Sequence, residues 1–212
     1  MSNELAIRNV ASLSPQWWWR RLCEVTPNLV VSGDLHSNRT NAKKQLDQWV
    51  GAGITCVIDC RGEWSDKEFV ATHAPHIVYH DHGTHDNGSE QDRNWFEDGW
   101  SLYLNELGRN PEGKVLAHCH MGVNRAPSLA FYLLLRSQYR PKRALEMIRE
   151  ARPIAACHYA RDAWRAFVGA RSDSSVETGI KEIDKFFEKH GMDASKAIHA
   201  IRLAEYEDED EI

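Results

Sequence analysis

The 212-residue sequence is short of several things. No apolar run approaches the roughly 20 residues that span a bilayer. No basic-then-apolar stretch stands at the N-terminus, so a soluble, intracellular (cytoplasmic) protein is expected. Positive charge is in deficit: 26 Lys and Arg face 31 Asp and Glu, a formal −5 with a pI near 6.1. Neither nucleic acid nor an acidic membrane is therefore an expected partner, and any attraction for phosphate has to be local. The cysteines, Cys23, Cys56, Cys60, Cys119 and Cys157, lack the pair-and-pair spacing of a zinc site, and their odd number goes with reduced thiols. Also missing are a Gly-rich nucleotide loop ending in Gly-Lys-Ser/Thr, an aspartyl-phosphate motif, internal repeats, and low-complexity blocks other than an acidic end.

What is present is concentrated in one stretch, His118-Cys119-His120-Met121-Gly122-Val123-Asn124-Arg125-Ala126-Pro127-Ser128. The apolar run Lys114–Ala117 precedes it and the apolar segment Leu129–Leu135 follows, which reads as strand, tight loop, helix. A loop of this kind turns backbone N–H groups inward as an anion nest, and the helix N-terminus adds its positive end. Arg125 can grip two oxygens of a phosphate with its fork, and Cys119 in the same electropositive cradle is expected to favour its thiolate near neutral pH.

These residues resemble the signature of the cysteine-dependent protein phosphatases, specifically the compact dual-specificity branch of the protein tyrosine phosphatase superfamily: His-Cys, five residues with Gly third, then Arg. The resemblance runs over about residues 27–170 and stops near there. It implies a single three-layer α/β domain, a mostly parallel central sheet flanked by helices, with the phosphate loop between strand and helix and a C-terminal helical extension. It also implies Cys119 as nucleophile, residues His120, Met121, Gly122, Val123, Asn124 and Arg125 as the phosphate-binding loop, and His118 as support that orders the loop and helps hold the thiolate. No metal or organic cofactor is implied. The relatives carry their general acid on a loop about thirty residues before the cysteine. Asp81, Asp86 and Asp92 lie 38, 33 and 27 residues before Cys119. Asp86, seven positions after Tyr79, fits the family spacing best; Asp81 is the alternative, and Asp92 reads as the start of a helix. Asn124 is assigned to structure, its side chain facing neighbouring backbone.

The organisation follows the same reading: residues 1–26 as an N-terminal extension, 27–171 as the catalytic domain, and 172–212 as a linker, helical extension and acidic tail. Trp17-Trp18-Trp19-Arg20-Arg21 is expected to pack against its own domain rather than on a partner or membrane. Strands are expected at Thr26–Gly33, Ile54–Asp59, His76–His80 and Lys114–Ala117. Helices are expected at Asn41–Gly51, Trp95–Leu107, Pro127–Tyr139, Pro141–Ala151 and Tyr159–Val168. Ile180, Ile183, Phe186 and Phe187 mark an amphipathic helix and Ala194–Leu203 a second, so residues 176–204 are the candidate surface for a partner or self-association. The run Glu205–Glu211 reads as a solvated, disordered tail.

Two departures matter. Ala126 replaces the Ser or Thr usual after the arginine, a hydroxyl thought to help break down the phosphocysteine intermediate. Arg-Ala-Pro also occurs in relatives that dephosphorylate plant glucans. The loop has no Lys, unlike relatives that act on inositol phospholipids, which tilts the expected substrate toward a phosphorylated protein. Beside the phosphatase stand a non-catalytic phosphate-recognition module, a phosphatase for a phosphorylated glycan or other non-protein substrate, and a metal enzyme built on His76, His80, His82 and His85 with Asp81 and Asp86. Cys60 is a candidate for a protective bridge to Cys119, and Arg61 and Trp64 are candidates for bordering the substrate.

Overall fold

The computed structural model describes residues 18–169 and 173–210. Trp17, part of the linker at Ser172, and Glu211 lie outside the described residues. After a single 3-10 turn at Trp18–Arg20, strand β1 (Cys23–Thr26) turns at Pro27-Asn28 into β2 (Leu29–Ser32). Then come α1 (Arg39–Gly51), β3 (Ile54–Arg61), α2 (Lys67–His73), β4 (Val78–Thr84), α3 (Arg93–Arg109), β5 (Lys114–His118), α4 (Arg125–Arg136), α5 (Pro141–Ala151), α6 (Ala160–Val168), α7 (Asp173–His190) and α8 (Ala194–Asp210). The five strands form one sheet in the order β1-β2-β5-β3-β4, antiparallel only between β1 and β2.

The alternation of side chains along the central strands builds two cores. Cys56, Ile58 and Cys60 of β3, with Val115 and Ala117 of β5, face α3 to α7, where Phe96, Leu129, Phe131, Leu145, Ala163 and Phe186 close over them. Val57 and Leu116 face the other way, onto Leu46 and Trp49 of α1 and Phe69 and Val70 of α2. Helix α4 carries the first core: every residue from Arg125 to Leu135 is buried. Helix α1 starts where the Asn38 side chain accepts from the Thr40 and Asn41 N–H groups, and α5 starts with Pro141, whose missing N–H costs nothing in a first turn.

Several expected boundaries move. Cys23–Thr26 joins the sheet, so regular structure begins before residue 27. The fourth strand runs over Val78–Thr84, past His80, and α2 adds a helix that no periodicity announced. The acidic run is helical through Asp210, not a disordered tail, because Ala197 and Ile201 anchor α8 on Trp19, Val123, Ile154 and Ala156. Helix α7 buries Ile183 and Phe186 in the first core, and α8 buries Ala197 and Ile201 while its Leu203 and Tyr206 stay exposed. Among the described residues no helix is long and apolar enough to cross a membrane.

Candidate active site

Register brings the site together. Ser32 and Asp59 both pair with His118, so β2, β5 and β3 end level and their following residues meet at the carboxyl edge of the sheet. There the chain from His120 to Asn124 turns its carbonyls outward, the last into the first turn of α4 and the others to donors from elsewhere. His120 O accepts from Asp34 N–H at 2.9 Å, and Val123 O from Ala156 N–H at 2.7 Å. Asn124 O accepts from Ser128 N–H at 2.8 Å. Arg152 takes the two between, Met121 O at 2.9 Å through Nη2 and Gly122 O at 2.6 Å through Nε. A planar trans peptide with its carbonyl held outside points the next N–H the opposite way, so the loop N–H groups converge on its interior.

Cys119 stands at the foot of this loop, 3% exposed. Burial pushes its thiol up, and the Asp86 carboxylate pushes the same way; Arg125, the Ala126 N–H and Arg152 pull it down. The balance in the free site is upward, because desolvation outweighs the cationic surroundings. All five cysteines are free and buried, and burial also holds the Cys60 thiol far up.

Arg125 opens α4 with its guanidinium plane fixed from one side: Nη1 donates to Glu63 Oε2 at 2.7 Å and to Thr84 O at 3.1 Å. Its Nε lies 3.5 Å from Asp86 Oδ2. The other Asp86 oxygen accepts from Asn124 Nδ2 at 2.7 Å and from the Tyr159 hydroxyl at 3.0 Å. Asp86 thus sits two residues beyond β4, held over the loop by three side chains, and it stays half-exposed. Asn124 does more than face backbone. Its Oδ1 accepts from His158 N–H at 2.7 Å while its amide holds Asp86, which makes it the link between the loop and that carboxylate.

The other acidic candidates lie elsewhere. Asp81 accepts from Ser65 and from Lys67 Nζ at 3.0 Å, on the α2 side of the sheet, and these partners pull its carboxyl down against the upward push of desolvation. Asp92 caps α3 through Asn94 N–H at 2.8 Å. His82 stacks on Trp95 and bonds its carbonyl, and among the described residues no three His, Cys, Asp or Glu side chains are arranged to hold an ion.

His118 is fully buried, its Nε2 3.2 Å from the Tyr79 hydroxyl and 3.6 Å from Asp59 Oδ1. Burial holds its pKa down at about 4, despite Asp59, so it orders the strand end as a neutral ring and brings no positive charge to the thiolate. Arg61, expected at the substrate, is instead buried and tied to Asp59 and Asp66, each at 2.7 Å, and to Asp34 at 3.3 Å. Trp64 is exposed, its ring 5.0 Å from that of His120. The two flank a side cavity of about 510 Å³ lined also by Arg20, Asp34, Asp66 and Glu205. Glu205 reaches it from α8, bonding His120 Nε2 at 3.1 Å and pairing with Arg20 at 3.4 Å.

The sequence reading missed Glu63, Arg152 and Tyr159. No spacing rule links them to Cys119; only the arginine just before Pro153 stood near a helix end that could have prompted a question.

No protein-family model and no curated protein matches the sequence. Solved structures do. Human DUSP28 superposes with a TM-score of 0.55 at 18% identity, over 79% of this chain and 97% of its own. The active form of Tk-PTP gives 0.53 at 15% identity, over 79% and 98%. PTPMT1 in complex with PI(5)P gives 0.53 at 13% identity, over 81% and 98%. The chain therefore has the three-layer α/β fold of the dual-specificity and tyrosine phosphatases.

Proposed function

We propose that this chain is a phosphomonoester hydrolase that works through a phosphocysteine intermediate. The observation that carries the reading is the loop itself: Cys119 at its foot, its carbonyls turned out from His120 to Asn124, Arg125 fixed at the helix start, and Asp86 beside that guanidinium. In this reading the Cys119 thiolate attacks phosphorus in line and the ester P–O bond breaks. Asp86 gives its proton to the leaving oxygen. Arg125 and the loop N–H groups hold the three remaining oxygens, whose charge is spread in a loose transition state. Water then attacks phosphorus and gives a proton to Asp86; the P–S bond breaks, returning thiolate and free phosphate.

Glu63 and Thr84 O hold Arg125 in plane, and Asn124 and Tyr159 aim Asp86. The lysine-free loop favours a single phosphate group on the substrate, and a phosphorylated protein remains the substrate we propose. A thiolate nucleophile also goes with a reducing, intracellular compartment.

The non-catalytic reading has one observation behind it. Ala126, whose N–H acts on the thiol, carries no hydroxyl, and the hydroxyl of Ser128 is engaged elsewhere, bonded to Asn124 and to Tyr159 N–H. Release of phosphate from p-nitrophenyl phosphate in EDTA separates the two. Wild type is expected to turn over and Cys119→Ser to be inactive while still binding phosphate. Turnover by Cys119→Ser, or turnover only with added divalent metal, overturns the proposal; binding without turnover by wild type supports the recognition module.

A further inference from the structure

Among the described residues four arginines are buried, and Arg152 is the one of them whose hydrogen bonds go to carbonyls and a thiol rather than to carboxylates. It is 1% exposed and lies just beyond α5, thirty residues past Gly122. Besides Met121 O and Gly122 O, its Nη2 donates to Trp19 O at 2.5 Å and its Nη1 lies 3.4 Å from both Arg21 O and Cys23 Sγ. A buried cation is costly unless its donors are satisfied. Here the chain meets that cost with backbone dipoles, and no carboxylate among the described residues forms an ion pair with it.

The sequence has been shaped to admit it. Gly122 has φ +61, a left-handed conformation, and a Cβ there would run into the Arg152 guanidinium and the Ser32 carbonyl. The glycine is needed for the close approach of Arg152 as much as for the turn. Of the loop carbonyls from His120 to Asn124, those of Met121 and Gly122 depend on this one side chain, and their peptides carry the N–H groups of Gly122 and Val123 at the middle of the loop.

Resting on the phosphatase reading of the loop, we propose that Arg152 is its positioning residue. Through the Met121 and Gly122 carbonyls it aims the mid-loop N–H groups at the phosphate, and it places a fixed positive charge behind the nucleophile. Its charge also acts on the Cys119 thiol, in the same direction as Arg125 and against burial and Asp86.

The two functions separate experimentally. Arg152→Met removes both charge and donors; Arg152→Lys keeps the charge and loses the planar fork. Two readouts need no turnover: the pH dependence of Cys119 alkylation by iodoacetamide, and the affinity for orthovanadate. For Arg152→Met the alkylation limb is expected to move up by about one pH unit, the order of a nearby charge lost from a buried site. Vanadate affinity is expected to fall at least about tenfold, and kcat/KM on p-nitrophenyl phosphate about a hundredfold, as for a loop displaced by an ångström. Arg152→Lys should return the alkylation limb to the wild-type pH while vanadate affinity stays low. Should Arg152→Met fail to fold, the lysine variant decides alone: vanadate affinity equal to wild type overturns the proposal. So does an unshifted limb in a folded methionine variant. If wild type itself releases no phosphate, the hydrolase reading falls while alkylation and vanadate binding still judge Arg152.

Discussion

Ala126 has no hydroxyl to assist attack on the phosphocysteine of the proposed mechanism, and its N–H acts on the Cys119 thiol. In the proposed mechanism the second chemical step is then expected to be the slow one. Stopped-flow hydrolysis of p-nitrophenyl phosphate should show a burst of p-nitrophenol close to one per enzyme. Ala126→Ser should shrink the burst and raise steady-state kcat about tenfold, within the range of a single proton-transfer aid; no burst in wild type would count against this. Asp86 acts on the same thiol in the opposite sense. Because its carboxylate raises Cys119, Asp86→Asn should move iodoacetamide alkylation to lower pH even as it slows poor leaving groups more than p-nitrophenolate. A limb that stays put would mean that the carboxylate and thiol do not sense each other. Cys119 and Arg125 are candidates from a local motif and Asp86 from the spacing in the family it resembles, and the structure brings the three side by side. Glu63 arrives from the loop between β3 and α2, Arg152 and Tyr159 from the two ends of the loop between α5 and α6, and none carries a mark but its final position.

At the scale of elements, α8 braces the loop from outside the strand-and-helix frame. Ala197 and Ile201 pack on Val123, and Ala156, whose N–H holds the Val123 carbonyl, sits in the same cluster. Ile201→Asp places an unpaired charge in that contact, which should undock the helix. Hydrogen exchange is then expected to quicken along Ala194–Asp210 and at the Ala156 amide, with the central strands unchanged. Slow exchange retained at Ala156 would show that the loop stands without the helix. The elements legible in the sequence were those with long apolar patterns, such as α4 and β3. Helix α2 escaped because seven residues with only Phe69 and Val70 buried have no period to read. The edge strand β4 looked finished at His80 because Asp81, His82, Gly83 and Thr84 face outward or onto polar neighbours.

Across the whole molecule, polar burial is gathered at the carboxyl edge of the sheet: Asp34, Asp59, Arg61, His118, Arg125 and Arg152. That gathering makes stability pH-dependent. The His118 pKa is about 4 when folded against 6.5 as a free side chain, so the neutral ring's contribution is whole above pH 6.5 and is lost as the pH falls toward 4. Asp34, raised by burial to about 6, works in the opposite direction over part of the window, so the comparison must be made against a variant. Between pH 7 and pH 5, wild type should lose about 2 kcal/mol more stability in urea unfolding than His118→Gln does. Equal losses would place His118 in a wetter setting than its burial indicates. The meeting of Arg20 near one described end with Glu205 near the other, 3.4 Å apart, has a topological consequence. Residues 185 apart in sequence are held side by side next to the loop that follows Cys119, so a cut in a surface loop anywhere between them would leave two pieces that this contact still helps to keep together.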